Sequence, residues 1–280
     1  MRIGLIGNGF VGNAVYQNLR EKYEFLIYDT NPSRATAKHI KEVCEGAPII
    51  FVALPTPMKQ SGTCDLSIIS GAMASIAAHY NNNIIILKST VPPGTCEYIK
   101  DAHPDLRIVF SPEFLTEANF VEDFRTCNRM IFGGEIEDTA ECVKLLSTVF
   151  PEKYYVMTNW KTAETVKYFI NNFLAVKVAF ANEFYEICKS IDVDYSEVVR
   201  YASLDERLGN SHLSVPGPDG DYGFGGTCFP KDINAMIAFS RLQGVDPAML
   251  ESAWRKNLDV RQNKDWLKMF GRAVSSDDSS

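Results

Sequence analysis

Of the seven cysteines in the 280-residue chain, one has neighbours suited to chemistry. Cys228 lies in GFGGTCFPKD (residues 223–232), between a glycine-rich run and Pro230, with Lys231 and Asp232 close behind. A thiol attacks carbon only as thiolate, and free cysteine titrates around 8.5, so a reactive one needs a cation or a helix N-terminus beside it. Lys231 is one such cation, and Pro230 marks the start of a helix whose amides would favour the anion. Gly223, Gly225 and Gly226 would let backbone approach a bound molecule closely. The other six cysteines (44, 64, 96, 127, 142 and 188) contain no C-x-x-C pair. An odd total fits reduced, mostly buried thiols better than a disulfide frame or a zinc site, and no metal is expected.

A second pattern opens the chain. Gly7-Asn8-Gly9-Phe10-Val11-Gly12 fits G-x-G-x-x-G directly after a strand and before a helix. The first glycine permits a tight turn, the second lets backbone approach a pyrophosphate, and the third packs helix against strand. The second strand ends at Asp29, where a carboxylate would accept hydrogen bonds from ribose hydroxyls and repel a 2′-phosphate. NAD is therefore expected rather than NADP. Gly7, Gly9, Phe10, Val11, Gly12 and Asp29 are cofactor candidates, with Arg34 beside the ribose. LPTP (54–57) and KSTVPPGT (88–95) each follow a strand, at the sheet edge where ligands bind, so Thr56, Ser89 and Thr90 would add hydroxyls. Lys167 and Asn171, four apart on an apolar helix, share a face and should point into a cleft. The bland alternative is a lysine reaching solvent beside a capping asparagine.

These residues need a frame to position them. Seven short β-rich runs up to residue 158 (RIGLIG, EFLIYD, PIIFVAL, NIIILKS, RIVFS, RMIFGG and YYVMT) alternate with helical segments, and several are apolar throughout. That pattern predicts an α/β domain with a Rossmann-like doubly wound sheet, its strands buried on both faces. From Asn159 the strands stop. WKTAETVKYFINNFLAVKVAFANEFYEICKSI predicts one long helix, on which an all-helical second domain is built. Further helices are expected in DYSEVVRYASL, KDINAMIAFSRLQ and DPAMLESAWRKNLDVRQNKDWLKMF, and the loop before Cys228 is long enough to be functional. The expected domains are 1–158, NAD-binding; 159–270, helical, dimerising and catalytic; and 271–280, a disordered tail. A formal charge of −7 argues against a nucleic-acid partner. No apolar run is long enough to span a membrane. MRIGLIGNGF is too glycine-rich for a signal peptide, so a cytoplasmic protein is expected.

GNGFVG, LPTP, KSTVPPGT, SPEFLTEA, AETVKYFINNF, DERLGN and GFGGTCFPKD occur in that order. With them the chain resembles the UDP-glucose/GDP-mannose dehydrogenase family, most closely its UDP-glucose 6-dehydrogenases, from residue 1 to about 265. The resemblance implies NAD-dependent oxidation of a primary alcohol on a nucleotide sugar, twice, through a cysteine-bound intermediate. Cys228 would be the nucleophile. Lys167 would be a better candidate than Lys231 for the cation near the thiol and would stabilise charge on the reacting oxygen, with Asn171 acting through a water. Asp232 would handle the alcohol proton with Lys167, and Glu113 would carry protons in thioester hydrolysis. Glu117 and Lys231 would lie on the cofactor side. Phe114 and Leu115 would lend backbone groups to the substrate, and Phe224 and Gly225 would line it. Arg207 would reach the sugar nucleotide from the other subunit of a homodimer, a surface ion pair with Asp205 being the alternative.

Two departures qualify the resemblance. Relatives continue into a third domain that grips the nucleotide, and Ser111 stands where asparagine is more usual. A single-step β-hydroxyacid dehydrogenase, which also carries a Lys-x-x-x-Asn pair, and an inactive NAD-binding module are the competing readings. GFGGTCFPKD and SPEFLTEA speak against the first.

Overall fold

The computed structural model describes residues 1–275. The chain divides into two compact units, one of Met1–Thr56 and Leu66–Lys167, the other of Pro57–Asp65 and the residues from Tyr168 onward.

The first unit carries seven strands, β1 (Arg2–Ile6), β2 (Glu24–Tyr28), β3 (Ile49–Val52), β4 (Ile84–Leu87), β5 (Arg107–Phe110), β6 (Arg129–Gly134) and β7 (Tyr154–Thr158). Between them run α1 (Phe10–Leu19), α2 (Ile40–Gly46), α3 (Ser67–Ala77), α4 (Thr95–Ala102), α5 (Phe120–Thr126) and α6 (Ile136–Ser147). The sheet order is β2-β1-β3-β4-β5-β6-β7, so all seven expected strands form and the order reverses beside β1. Alternation within each strand feeds two cores. Ile50, Val52, Ile85 and Leu87 enter one, and Ile49, Phe51, Ile84 and Ile86 the other. Burial on both faces is why these runs are apolar throughout. One pair departs from the expected parallel sheet, since β5 and β6 are antiparallel. The short α5 between them packs on α1 instead of serving as a crossover: Phe10 and Phe120 meet edge to face at 6.4 Å, and Asn18 Nδ2 donates to Val121 O at 3.0 Å.

The long helix forms as α7 (Trp160–Ser190). Its first two turns belong to the first unit: Trp160 Nε1 donates to Ile108 O, and the Glu164 carboxylate accepts from Gly94 N and Cys96 N at the start of α4. The unit boundary therefore falls at Lys167, later than residue 159.

The second unit holds the rest of α7 with α8 (Tyr195–Ala202), α9 (Cys228–Leu242) and α10 (Ala248–Val260). Phe224, Ile233, Ile237, Ala175, Ala179 and Ala253 form its larger core. Two helical expectations are corrected here. Helix α9 begins at Cys228, two residues ahead of Pro230, which occupies its first turn without costing a hydrogen bond. Helix α10 ends at Val260, because Arg261 turns extended and sends its guanidinium into the preceding loop. The chain then folds back with Trp266 fully buried. Residues 271–275, expected in a tail, are pinned instead: Met58 N donates to Ala273 O and Ser275 N to Met58 O. The remaining tail residues, 276–280, lie outside the described residues.

Candidate active site

In the first unit, the glycine turn is shaped as a close approach requires. Gly7 sits at φ +89°, and a Cβ on Gly12 would overlap the Gly7 carbonyl oxygen. Gly9 faces open space, with nothing within 4 Å of where its Cβ would be. Helix α1 starts at Phe10 with no side-chain cap and no acid in its first turn, leaving the amides of Phe10, Val11 and Gly12 at an uncapped positive end. Asp29 accepts Asn8 N at 2.7 Å and Asn31 N at 2.8 Å, which fixes its carboxylate beside the turn with lone pairs to spare. The Arg34 side chain is exposed, and its backbone oxygen accepts from Asn8 Nδ2. An open glycine, a bare helix end and a fixed carboxylate fit the pyrophosphate and ribose of NAD. We expect Gly12→Ala to cost about 1–3 kcal/mol, the overpacking range, because backbone cannot yield as a side chain can. Urea unfolding would measure that loss, and NADH fluorescence titration would show weakened binding.

The hydroxyl residues knit two loops together. Thr56 Oγ1 donates to Thr90 O at 2.7 Å and Ser89 Oγ accepts from Leu54 N at 2.9 Å. All three are buried, so any cofactor contact uses what these bonds leave.

Beyond β5, Glu113 and Lys167 form a buried ion pair, Oε1 to Nζ at 2.9 Å, and Lys167 also donates to Glu113 O at 2.6 Å. Burial pushes the Glu113 carboxyl up, but Lys167, the Leu115 amide and Lys88 outweigh it and hold the group below its ordinary range. Leu115 N is taken by Glu113 Oε2 at 2.8 Å, and the Phe114 ring lies under Arg129 (4.8 Å) and Lys167 (5.6 Å). Of the groups expected to meet a substrate here, the Leu115 amide is thus already engaged. Glu117 is exposed. Sequence reasoning passed over Lys88, a buried lysine whose signal was a cation closing the apolar run IIIL.

In the second unit, Cys228 is the first residue of α9, half-buried, with Thr227 Oγ1 3.7 Å from its sulfur. Lys231 Nζ pairs with Asp232 Oδ1 at 2.5 Å, and Asn171 Nδ2 donates to Asp232 Oδ2 at 2.6 Å. Asp232 is 1% exposed. Burial would lower the Lys231 ammonium, yet Asp232, Cys228 and Cys64 raise it overall, so Lys231 stays charged within the field of the Cys228 sulfur.

The glycine loop before Cys228 owes its composition largely to packing. A Cβ on Gly223 would overlap Asn257 Oδ1, and one on Gly225 would overlap Arg261 and Asp265 side chains, while Gly226 faces open space. Phe224, expected at the substrate, is instead a core residue. Its ring packs on Phe229 and Trp254, and its N donates to Asn257 Oδ1 while its O accepts from Asn257 Nδ2. Gly225 is likewise a packing position. Arg207 is exposed and grips Asp205, Nε to Oδ1 at 2.9 Å, the alternative that sequence reasoning kept open. Among the described residues no cluster of His, Cys, Asp and Glu could hold a metal, and no helix is long and apolar enough to cross a membrane.

Comparison with known proteins bears on both units. The NAD binding domain of the UDP-glucose/GDP-mannose dehydrogenase family matches residues 19–151, and the family's central domain matches residues 161–259. The UDP-glucose 6-dehydrogenase of Rickettsia bellii (strain RML369-C) is 33% identical over 250 residues, covering 87% of this chain and 56% of that protein. The chain thus spans about half the length of the curated relatives it matches. A UDP-glucose dehydrogenase from the hyperthermophilic archaeon Pyrobaculum islandicum superposes with a TM-score of 0.83 at 26% identity, over 92% of this chain and 68% of that one. The 3-hydroxyisobutyrate dehydrogenase of Mycobacterium tuberculosis, at 14% identity and TM-score 0.73, covers 91% of each chain and shows a shared fold alone. With both domain models matched in order over well more than half of its length, the chain belongs to the UDP-glucose/GDP-mannose dehydrogenase family.

Proposed function

We propose that the protein oxidises the 6-hydroxymethyl group of a nucleotide sugar to a carboxylate, with UDP-glucose the substrate that its relatives' names favour. The observation that carries this reading is Cys228 as the first residue of α9, with Lys231 in the same first turn, its ammonium held charged by Asp232. A helix N-terminus and a neighbouring ammonium both favour a thiolate. When bound, NAD accepts one hydride in each of two oxidations. After the first, Cys228 Sγ bonds the aldehyde carbon as a thiohemiacetal, which keeps the aldehyde from escaping. After the second the adduct is a thioester, and water at its carbonyl carbon releases the acid and returns the thiol. Lys167 is the donor for charge on the reacting oxygen, and its partner Glu113, held ionised, is the acceptor for a proton from the hydrolytic water. Asn171 fixes Asp232, whose carboxylate would take the alcohol proton.

A homodimer is part of the proposal. On the second unit's share of α7, Phe169, Phe173, Phe180 and Phe184 are exposed and pack in pairs, the first stacked at 6.3 Å and the second tilted at 4.5 Å between ring centres. A run of exposed rings on one helix is a surface that a second copy would cover. Arg207 would then leave Asp205 to reach the partner's substrate.

Stoichiometry tests the reading. Incubated with NAD and UDP-glucose, the protein is expected to form two NADH per uronate. One NADH per sugar would favour the single-oxidation β-hydroxyacid type, and none across a panel of nucleotide sugars would favour an inactive module.

A further inference from the structure

Lys88 has no part in the reaction above, yet it is a buried ammonium in the first unit, 6% exposed, at the carboxyl end of β4. Its Nζ donates to Ser111 Oγ at 3.2 Å and to Pro112 O at 3.1 Å, and lies 6.0 Å from the Phe124 ring centre. Ser111 and Pro112 are the two residues immediately before Glu113. Lys167 grips the next residue by both carboxylate and carbonyl. Two buried lysines thus hold one three-residue segment. The cost of burying a lysine is several kcal/mol unless hydrogen bonds and an opposite charge offset it, so this placement calls for a reason.

We propose that Lys88 is a positioning residue for Glu113: by holding Ser111 and Pro112, it fixes the turn that aims the Glu113 carboxylate at Lys167. The inference rests on the reading that Glu113 and Lys167 serve the oxidation. The charged and titratable groups that face Lys88 are Glu113 from the β5–α5 loop, Cys127 after α5, and Lys167 from α7. Burial brings the Lys88 ammonium down to about 8, with Lys167 adding to the fall and Glu113 and Cys127 opposing it. Near and above that pH, Lys88 sheds a positive charge while its remaining N–H groups can keep both hydrogen bonds. Glu113 then faces one cation instead of two, and its affinity for a proton rises. Lys88 thereby sets both where the carboxylate points and how basic it is.

The test uses Lys88→Met, Lys88→Arg and Glu113→Gln in the full chain. In protein labelled with carbon-13 at lysine Cε, the resonance lost from both Lys88 variants reports Lys88. Its midpoint is expected at about 8 in the wild type, and lower in Glu113→Gln, where an opposing charge is gone. A wild-type midpoint near the ordinary value of about 10, or no movement in Glu113→Gln, would overturn the proposal. In turnover, Lys88→Met should lose about tenfold or more in kcat with little change in KM, because a misaimed carboxylate is a fault of orientation. Lys88→Arg keeps the donors and should recover most of that loss, while its permanent charge removes the inflection near the Lys88 midpoint from the pH profile. Equal impairment of both variants with a wild-type pH profile would overturn it as well. If Lys88→Met does not fold, Lys88→Arg assigns the resonance alone. If the wild type forms no NADH, the proposed function fails, and the carbon-13 titration still decides the coupling of Lys88 to Glu113.

Discussion

Cys228→Ala is expected to abolish uronate formation, by at least about a thousandfold, while NADH binding is unchanged. Removing the sulfur removes the atom to which the sugar carbon would be joined, so the aldehyde from the first oxidation has nothing to hold it. The variant should release aldehyde, captured with a hydrazine, together with one NADH per sugar. The fold should survive, since Cys228 is half-buried at a helix terminus and its side chain is small. Its reactivity can be read without turnover. Burial pushes the Cys44 thiol up to about 11 and the Cys142 thiol up to about 12, and holds the Cys96 thiol well above its ordinary range. Iodoacetamide at neutral pH should therefore reach Cys228 well before those three, and bound substrate should protect it. Uronate produced at the wild-type rate by Cys228→Ala would refute the covalent route.

Arg261→Met is expected to destabilise the second unit by about 3 kcal/mol, the low end of the range for removing one member of a buried ion pair. The guanidinium is 2% exposed and meets Asp219 at 2.7 Å, Asp265 at 3.4 Å and Asp221 at 3.6 Å. It also donates to Asn263 O and Tyr222 O, so the loop before Cys228 and the segment after α10 are both tied to it. Methionine fills much of the volume but leaves three aspartates facing one another. The low end applies because Asp219 and Asp265 keep access to water. The sign of the pH dependence follows from the aspartates. Burial raises Asp219 and Asp221, but Arg261 and backbone amides outweigh it and hold both below the ordinary range. A depressed folded-state carboxyl contributes stability above its unfolded pKa of about 3.9, and loses it as pH falls through the folded value. Urea midpoints in the wild type should thus drop on acidification toward pH 3. In Arg261→Met the midpoint should start lower and fall less steeply, and a variant with wild-type midpoints at both pH values would exclude the clamp.

Much of this was legible in the sequence because it rests on local chemistry. Gly7, Gly9 and Gly12 are dictated by backbone conformation and close approach, and the seven strands by runs that only a sheet covered on both faces accommodates. The long helix needed no tertiary help to recognise, having neither glycine nor proline over its length. What pairwise distances decide was hidden. Nothing in GFGGTCFPKD says that two of its glycines yield to Asn257, Arg261 and Asp265, or that Phe224 turns into a core. The end of α10 is not legible in the sequence because its polar continuation is compatible with helix, and the aspartates 219, 221 and 265 draw Arg261 out of it. Lys88 is hidden for the same reason: a lysine at the end of a strand is ordinary until the fold brings Ser111 and Pro112, more than twenty residues on, around its nitrogen. Residue type and spacing determined the fold and singled out Cys228 as the candidate thiol. Which cation faces which anion was left to the tertiary structure, since the charge that decides it comes from distant parts of the chain.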